Sequence, residues 1–489
     1  MLWNSYRYRI EDDGIVIEEY CGEELHVTIP AEIEGLPVKV IAPEAFSAYG
    51  ALIERVEVPG SVTDIGDGAF KMCMSLEQLV LQEGVRRIGE NILLVTAVTQ
   101  IFLPSTVENL KRPWEWGKVA IDVAPENPYY FSDGYGLYEK REDGYALVAV
   151  RAEDQRTQYT VDPKTTVIER HAFEGQMYIQ EVELPEGVIC IEEEAFESCQ
   201  ALRRIALPEG LTTICADAFR CCISLEGLEL PSTLKDLGEH AVTDTYGWSP
   251  SMNGIQYMTV HPENRYFYHD ANAFYQRGEN GSLLIKYFGK NETWKIPAEV
   301  TEIGAMALRR ANLREVFIPE TVKRIPKDAF AECGRLECME LEADGVKLYV
   351  PENPVYRKGE ISALFYQDDD GNLRYDYEAY DALLADWSQI LIRCRMAAFR
   401  LEYPVQLSDT RKQAYEALIV EHLKDLVYDI CKRDSLKDLE ALGSAGAISA
   451  EHIEEMIDWT TECHRGKLTG YLMEYQREHF AENAFDFSL

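Results

Sequence analysis

The stretch IEEEAFESC at residues 191–199, followed by the strand-like RRIALP at 203–208, decides the fold because the chain repeats it. Stretches with the same spacing of isoleucine, aromatic residue and cysteine begin at Ile65, Ile214 and Ile325. From Phe173 to Phe196 is 23 positions, and from Phe196 to Phe219 is 23 again. A fixed period in the twenties predicts a solenoid, in which each unit buries its apolar face only against its neighbours.

Each unit combines two extended segments with one turn. The Leu-x-x-Val-x-Leu pattern alternates with period two and predicts a short strand, and the proline after it ends the regular pairing. The Val-x-x-Ile-Gly pattern predicts a second extended segment, in which glycine permits a tight bend. The Ala-Phe-x-x-Cys pattern predicts a single helical turn that places the ring in the core. Burial of such a ring contributes about 1.5–3 kcal/mol, so we expect a stack of rings to hold the solenoid together.

Four of the twelve cysteines occupy one slot of the repeat, three residues after the aromatic position, namely Cys73, Cys199, Cys222 and Cys333. One repeated slot indicates one repeated environment, which here is a small buried side chain. We therefore expect reduced structural thiols rather than disulfides, as is typical of a reducing compartment.

The charge balance is strongly acidic, with 48 Lys and Arg against 85 Asp and Glu and a net charge of −37. Such a surface repels phosphate, so nucleic acid and anionic membranes are not expected as partners. The charge favours solubility, and a second interpretation is steering toward a basic partner. Residues 1–9 lack a secretory signal pattern, and no apolar run approaches about 18 residues. We expect a cytoplasmic protein, or a cell-surface one if a signal peptide was removed.

Two long segments, near residues 111–160 and 243–295, interrupt the regular repeat and share a short sequence motif. It reads VAPENP at 123–128, VHPEN at 260–264 and VPENP at 350–354. A predicted hairpin follows, with turns at Asp143-Gly144 and Asn280-Gly281. The insertions are therefore expected to be longer members of the solenoid.

Residues 6–368 resemble the BspA-like leucine-rich repeats of bacteria, because the repeat unit and the Pro-Glu-Asn phrase with its hairpin occur in the same order. The resemblance implies a curved β-solenoid that binds proteins or other macromolecules. Many members of that family are surface-exposed adhesins, which makes a cell-surface adhesin or host-interaction protein the alternative to a cytoplasmic protein. This chain differs from those adhesins in that it shows no export signal.

The pattern changes near Tyr375 to apolar residues three and four apart. It predicts one long helix over residues 377–398, a second over 418–430, and a third capped by Ser435. Leu439 and Leu472 lie 33 residues apart, the spacing of ankyrin-like helical pairs, and the alternative is a helical cap on the solenoid. The predicted architecture is α+β. A leucine-rich repeat β-solenoid with an N-terminal cap and hairpin insertions spans 1–368, and an all-α C-terminal domain spans 373–489.

Residues with recognisable chemistry are scarce. The sequence holds no phosphate-binding Gly-x-x-x-x-Gly-Lys-Ser/Thr, no His-Glu-x-x-His and no Gly-x-Ser-x-Gly. We therefore predict no catalytic, cofactor-binding or metal-binding residues and no enzymatic activity. An effector with an unrecognised activity in the helical domain is a further alternative.

The remaining candidate is the surface. The middle residue of each Val-x-Leu strand points away from the core, and this column includes Val80, Phe102 and Phe317. Val80 and Phe102 fall in consecutive units, and Trp114 lies in the first insertion. We predict that Val80, Phe102, Trp114 and Phe317 bind a protein partner, as part of a non-catalytic interaction scaffold with an acidic surface. The alternative is that the inserted hairpin covers Val80 and Phe102.

Overall fold

The computed structural model describes residues 1–12, 14–47, 52–111, 119–151, 155–242, 255–350 and 364–480. A β-solenoid of about thirteen turns is followed by helices within residues 377–479, which confirms the predicted fold class. The chain divides into two compact units, Met1–His269 and Asp270–Leu489. The domain boundary between residues 368 and 373 stays a prediction.

The first unit contains 26 strands within the described residues. The first thirteen are β1 Leu2–Trp3, β2 Tyr6–Glu11, β3 Gly14–Tyr20, β4 His26–Thr28, β5 Glu32–Ile33, β6 Leu36–Ile41, β7 Arg55–Val58, β8 Asp64–Ile65, β9 Gln78–Leu81, β10 Arg87–Ile88, β11 Gln100–Leu103, β12 Asn109–Leu110 and β13 Ala120–Val123. The next thirteen are β14 Tyr130–Ser132, β15 Gly136–Arg141, β16 Gly144–Val150, β17 Gln158–Thr160, β18 Thr165–Ile168, β19 Glu181–Glu183, β20 Cys190–Ile191, β21 Arg204–Ala206, β22 Thr213–Ile214, β23 Gly227–Leu230, β24 Asp236–Leu237, β25 Tyr257–Val260 and β26 Phe267–His269.

The second unit contains nine strands and seven helices within the described residues. The strands are β27 Ala273–Arg277, β28 Ser282–Tyr287, β29 Thr293–Lys295, β30 Val300–Ile303, β31 Glu315–Ile318, β32 Cys338–Leu341, β33 Val346–Tyr349, β34 Phe365–Gln367 and β35 Leu373–Tyr375. The helices are α1 Tyr377–Asp386, α2 Ile390–Glu402, α3 Asp409–Glu421, α4 Leu423–Arg433, α5 Leu436–Ser444, α6 Ile453–Glu462 and α7 Gly466–His479.

Each turn contributes a longer and a shorter strand, and each pairs in parallel with the equivalent strand of a neighbouring turn, in several successive sheets. The longer strands β4, β7 and β9 pair in parallel, as do β17, β19 and β21. The shorter strands β8, β10 and β12 pair in parallel on another side of the turn. Burial alternates along the longer strands, so that Ile101 and Leu103 lie inside while Gln100 and Phe102 face outward.

The repeat aromatic residues form the predicted ladder. Phe196 is fully buried and stacks on Phe173 and Phe219, with ring centroids 4.6 and 5.2 Å away. Tyr20 and Phe70 flank Phe46 in the same way, at 5.1 and 5.0 Å. The backbone links the same turns, because the Phe196 amide donates to the Ala218 carbonyl at 2.8 Å. Within each of these two runs, one ring per turn forms an apolar column.

The predicted cysteine slot is also confirmed as a small buried position. The Cys199 thiol donates to the carbonyl of Phe173, and the Cys222 thiol to that of Phe196, both at 3.0 Å. Cys73 and Cys333 are equally buried. Burial raises the pKa of each of these last two thiols to about 12, so both are protonated at neutral pH. A protonated thiol is a poor nucleophile, which suits a structural role.

The helical turn expected at Ala-Phe-x-x-Cys is wrong. The chain makes tight turns there, with one left-handed residue just before the alanine and another two residues after the aromatic position. In the turn of Phe196 these are Glu194 and Ser198, with φ of 56° and 58°. A left-handed residue redirects the backbone abruptly, which leaves no room for a helical turn between the two strands.

The hairpins of the insertions do more than lengthen single turns, because each one opens a new sheet. The hairpin β15–β16 is antiparallel, and β16 then pairs in parallel with β18. The N-terminal hairpin β2–β3 does the same with β6, and β27–β28 does so with β30. The predicted N-terminal cap and both insertions are thus the same structural module.

A buried asparagine explains the repeated Pro-Glu-Asn phrase. The Asn127 side chain is 1% exposed and donates to the carbonyls of Pro104 and Val107 at 2.9 and 3.0 Å. Its Oδ1 accepts from the amides of Tyr129 and Tyr130, both at 2.8 Å. Asn264 makes the same four bonds in the next module, whereas Asn353 lies outside the described residues. The asparagine joins the new hairpin to the preceding turn.

Replacing Asn127 by alanine should lower the free energy of unfolding by about 1–3 kcal/mol, because two buried carbonyls and two amides lose their partner. Urea denaturation followed by circular dichroism measures this loss. Replacing the exposed Glu126 by alanine is the matched control and should change little. Equal stabilities of the Asn127→Ala and Glu126→Ala variants would show that Asn127 does not join the hairpin to the preceding turn.

The helices cover the last solenoid turn within the second unit. The Tyr380 hydroxyl of α1 donates to the Tyr349 carbonyl of β33 at 2.7 Å. Lys437 of α5 and Lys347 of β33 both bond to the carboxylate of Glu315 in β31. Burial opposes ionisation of Glu315, but these two lysines outweigh it and lower the pKa of the carboxyl. This arrangement agrees with the cap alternative.

The helix boundaries correct two predictions. The long helix over residues 377–398 is two helices, because Trp387 is extended (ψ 130°) and ends α1 before α2 begins. The helix over 418–430 is likewise divided at His422 between α3 and α4. The Ser435 cap is confirmed, since its side chain accepts from the Asp438 amide. Helices α4–α5 and α6–α7 form two pairs, each turning at a left-handed residue, Asp434 or His464.

Candidate protein-binding face

The outward side of the longer strands in the first unit, β4, β7, β9, β11 and β13, is the surface that the sequence singled out, and we call it the strand face. The register pairs Glu57 of β7 with Val80 of β9, and Phe102 of β11 with Asp122 of β13. These residues point outward because their neighbours in sequence point into the core. The side chains of this column therefore lie on the outward side of the strands.

Phe102 is the most prominent apolar group of the strand face, with 52% of its surface exposed. Val80 on the preceding turn is half-buried. Acidic residues bound this apolar pair, with Glu57 on one side and Asp122 on the other. The Asp122 carboxylate accepts from the Gln100 side chain at 2.6 Å, which holds it in place. Trp114 lies outside the described residues, so its place beside the pair stays a prediction.

Phe317 lies in the second unit and has different surroundings. In the register of β29, β31 and β32 it stands between Lys295 and Glu340. The Lys347 ammonium lies 5.6 Å from the centre of the Phe317 ring, which is half-buried. Charged side chains therefore surround Phe317, and its role in binding stays a prediction.

A second group of outward residues, on β19, β21, β23 and β25, is acidic with one exposed aromatic ring. Glu183 and Glu229 lie in its middle column, and Tyr257 is 49% exposed. The register places Tyr257 opposite Gly227, and its ring occupies the space where any side chain at Gly227 would lie. Sequence reasoning missed Tyr257 because the long segment before it hides the register.

One cluster in the described residues has the composition of a metal site. His171, Glu194 and Glu197 offer ligand atoms within 4.8 Å of one another. The carboxylates already pair with arginines, Glu194 with Arg170 at 3.1 Å and Glu197 with Arg220. His171 faces Glu174 and Glu194 through its two ring nitrogens, at 3.0 and 3.1 Å. The cluster is part of a polar network that links three consecutive turns, those of Phe173, Phe196 and Phe219.

A recess lies between α2, α4 and α5 in the helical region. It is lined by Arg395, Phe399, Asp438 and aliphatic side chains, and it leaves no room for a water molecule. None of the helices in the described part of the chain has the length and apolar character that a membrane crossing requires.

The repeated turns, the ring ladder and the cysteine slot agree with a known family of repeats. The model of the BspA-type leucine-rich repeat region matches residues 15–113, 155–249 and 286–349, in six copies. The chain belongs to the BspA-type leucine-rich repeat family. The matches leave out the hairpin β15–β16, most of the hairpin β27–β28 and the helices, which are the parts that do not follow the repeat.

Solved structures similar to this BspA-type chain are bacterial. A leucine-rich cell surface protein from Faecalibacterium prausnitzii is 20% identical, with 70% of this chain and 94% of that chain covered and a TM-score of 0.32. The pneumococcal vaccine antigen PcpA is 18% identical, with 70% and 93% covered and a TM-score of 0.43. A leucine-rich repeat protein from Eubacterium ventriosum is 16% identical, with 76% and 98% covered and a TM-score of 0.45. Among curated proteins, none matches this chain.

Proposed function

We propose that this chain is a non-catalytic interaction protein that binds a protein partner on the strand face, with Phe102 as the anchor and Val80 beside it. The observation that carries the proposal is the exposure of the Phe102 ring on β11, which pairs in parallel with β13. Aromatic side chains on rigid elements supply much contact area at a small cost in conformational entropy. Trp114 and Phe317 remain proposed additional contacts.

The family supports a scaffold rather than an enzyme. Leucine-rich repeat proteins generally mediate protein–protein binding, and the solenoid is typically a non-enzymatic repeat framework. The acidic residues Glu57 and Asp122 beside the anchor favour a partner without a strongly acidic contact surface, because like charges across an interface cost free energy.

Replacing Phe102 by aspartate should weaken partner binding by about 30-fold, the effect of losing an anchor that contributes about 2 kcal/mol. The partner is first recovered by affinity purification and mass spectrometry from cells that make the protein, and its affinity is then measured by calorimetry. The control is Ile10→Asp, which alters a similarly exposed apolar residue of β2. Unchanged affinity of a folded Phe102→Asp variant would contradict the proposal.

We place this function in the cytoplasm, and the alternative is an adhesin-like function at the cell surface. One of the similar solved structures is that of a leucine-rich cell surface protein. The two proposals differ in where the protein is found. Cell fractionation with a surface-protease control separates them, because a surface protein is degraded when intact cells are treated and a cytoplasmic one is not.

A further inference from the structure

The first unit carries a second exposed apolar surface, along the loops that enter the longer strands. It consists of Leu52, Met72, Met74 and Val95, which are 64%, 40%, 56% and 50% exposed, and we call it the methionine ridge. Its members lie on consecutive turns, since the Met72 amide donates to the Leu94 carbonyl at 2.8 Å. Such turns are about 4.8 Å apart, which places these exposed side chains on neighbouring turns along the same edge of the solenoid.

The geometry of the turn does not explain why the residues of the methionine ridge are apolar. Met72 and Val95 occupy the left-handed position two residues after the repeat aromatic position, with φ of 65° and 58°. The same position in other turns is held by small or polar residues, namely Gly175, Ser198, Cys221, Arg310 and Glu332. A left-handed conformation is unfavourable for a β-branched residue such as Val95. Because the Val95 side chain is exposed, no burial free energy offsets this cost. Folding alone therefore gives no reason for an apolar residue at this position.

Acidic side chains border the methionine ridge. Glu54 follows Leu52 by two residues, and Glu77 follows Met74 by three. Both carboxylates are exposed, and the two turns are joined by a hydrogen bond of 2.9 Å from the Glu77 amide to the Glu54 carbonyl. The chain as a whole carries a net charge of −37. A ligand that covers the ridge thus meets an apolar centre with two glutamates along the edge next to the strands, and Lys71, which directly precedes Met72, pairs with Glu44 at 3.6 Å.

We propose that the methionine ridge docks an amphipathic helix whose apolar stripe is flanked by lysine and arginine. Methionine side chains are flexible and polarisable, so they adapt to the stripe of an incoming helix. Helices bind apolar surfaces through residues three and four apart, which places one row of flanking side chains along the edge that carries Glu54 and Glu77. The charge complementarity with Glu54 and Glu77 selects a basic helix over an acidic one. This surface shares no residue with the strand face, so either proposal can fail alone.

A designed peptide of about 18 residues tests the proposal, with leucines on one helical stripe and lysines on the rest. Fluorescence anisotropy of the labelled peptide measures its affinity for the full chain at low and high salt. We expect binding that weakens as salt rises, and about tenfold weaker binding to the variant Leu52→Gln/Met74→Gln. The control Met177→Gln, at the position equivalent to Met74 in another turn, should bind like the unaltered chain.

Two comparison peptides make the test specific. A scrambled peptide of the same composition and a leucine–glutamate peptide of the same pattern should both bind at least about tenfold more weakly. Equal binding of either peptide, or unchanged binding to the double variant, would overturn the proposal. Self-association of the chain that is lost in the double variant would also overturn it, because a second copy would then be the occupant.

Val95→Gly separates binding from folding. Glycine adopts the left-handed conformation without strain, so this variant should have a higher thermal midpoint than the unaltered chain. It should nevertheless bind the leucine–lysine peptide more weakly, because the side chain is lost. A variant that binds the peptide as tightly as the unaltered chain would remove Val95 from the ridge.

Discussion

Replacing Phe196 by alanine should lower the free energy of unfolding by about 3–5 kcal/mol. The ring is fully buried between Phe173 and Phe219, and the stacked arrangement fixes all three rings. A solenoid turn contacts only its neighbours, so the surroundings cannot collapse around the cavity as a globular core can. The alanine therefore loses both the transfer free energy of the ring and the contacts of its two neighbours.

Urea denaturation followed by circular dichroism measures this loss on the full chain. Met177→Ala, at an exposed position four residues after Phe173, is the control and should change the stability by no more than about 0.5 kcal/mol. The stability of Phe196→Leu should lie between those of Phe196→Ala and Met177→Ala, because leucine fills part of the space of the ring. A Phe196→Ala variant as stable as the control would show that the ring column does not hold the turns together.

Replacing Arg395 by methionine should be similarly costly, at about 3–5 kcal/mol, because it leaves carboxylates without their partner. Arg395 of α2 is 2% exposed, its Nε lies 3.3 Å from Asp438 of α5, and it also pairs with Asp429 of α4. Its guanidinium lies 5.9 Å from the centre of the Tyr349 ring at the end of the solenoid. One cation thus connects three helices and the last turn.

The loss of stability caused by Arg395→Met should depend on pH. Burial raises the pKa of Asp438, and the charge of Arg395 opposes that shift. Without Arg395 the folded variant binds a proton at Asp438 more tightly than the unfolded chain does, so its stability rises as the pH falls through the folded pKa. We therefore expect a larger difference between variant and unaltered chain at neutral pH than near pH 5.

Arg477→Met is the control for this prediction. Arg477 pairs with Glu474 at 3.3 Å on the surface of α7, and both side chains are more than half exposed. Exposed pairs contribute only about 0–1 kcal/mol, so the control should remain close to the unaltered chain. Equal losses in the two variants, or a loss for Arg395→Met that does not change with pH, would contradict the buried network.

The repeat made much of the framework predictable. Phe196 and Cys199 recur at a fixed spacing, and a periodic solenoid places equal positions in equal environments. The ring column and the buried thiols are therefore confirmed as predicted. The phrase around Asn127 was equally visible, but its role was not, because the carbonyls it bonds belong to Pro104 and Val107 of the preceding turn.

The remaining features depend on contacts that a repeat pattern does not encode. The left-handed residues of the tight turns, such as Glu194, have no single residue preference in this chain, so sequence alone favoured a helical turn. The exposure of Tyr257 depends on its pairing with Gly227 across a long intervening segment. The methionine ridge was hidden because an exposed Met74 and a buried one look the same in sequence.

The most direct test of the binding account is photo-crosslinking from the strand face. The chain is made with p-benzoylphenylalanine in place of Phe102, irradiated in the cells that produce it, and compared with chains that carry the same group in place of Ile10 or Tyr471. We predict a crosslinked protein from position 102 that is absent from the other two positions. A folded chain that crosslinks nothing from position 102, or that crosslinks the same protein only from Tyr471 in α7, would contradict the strand face as the site of binding.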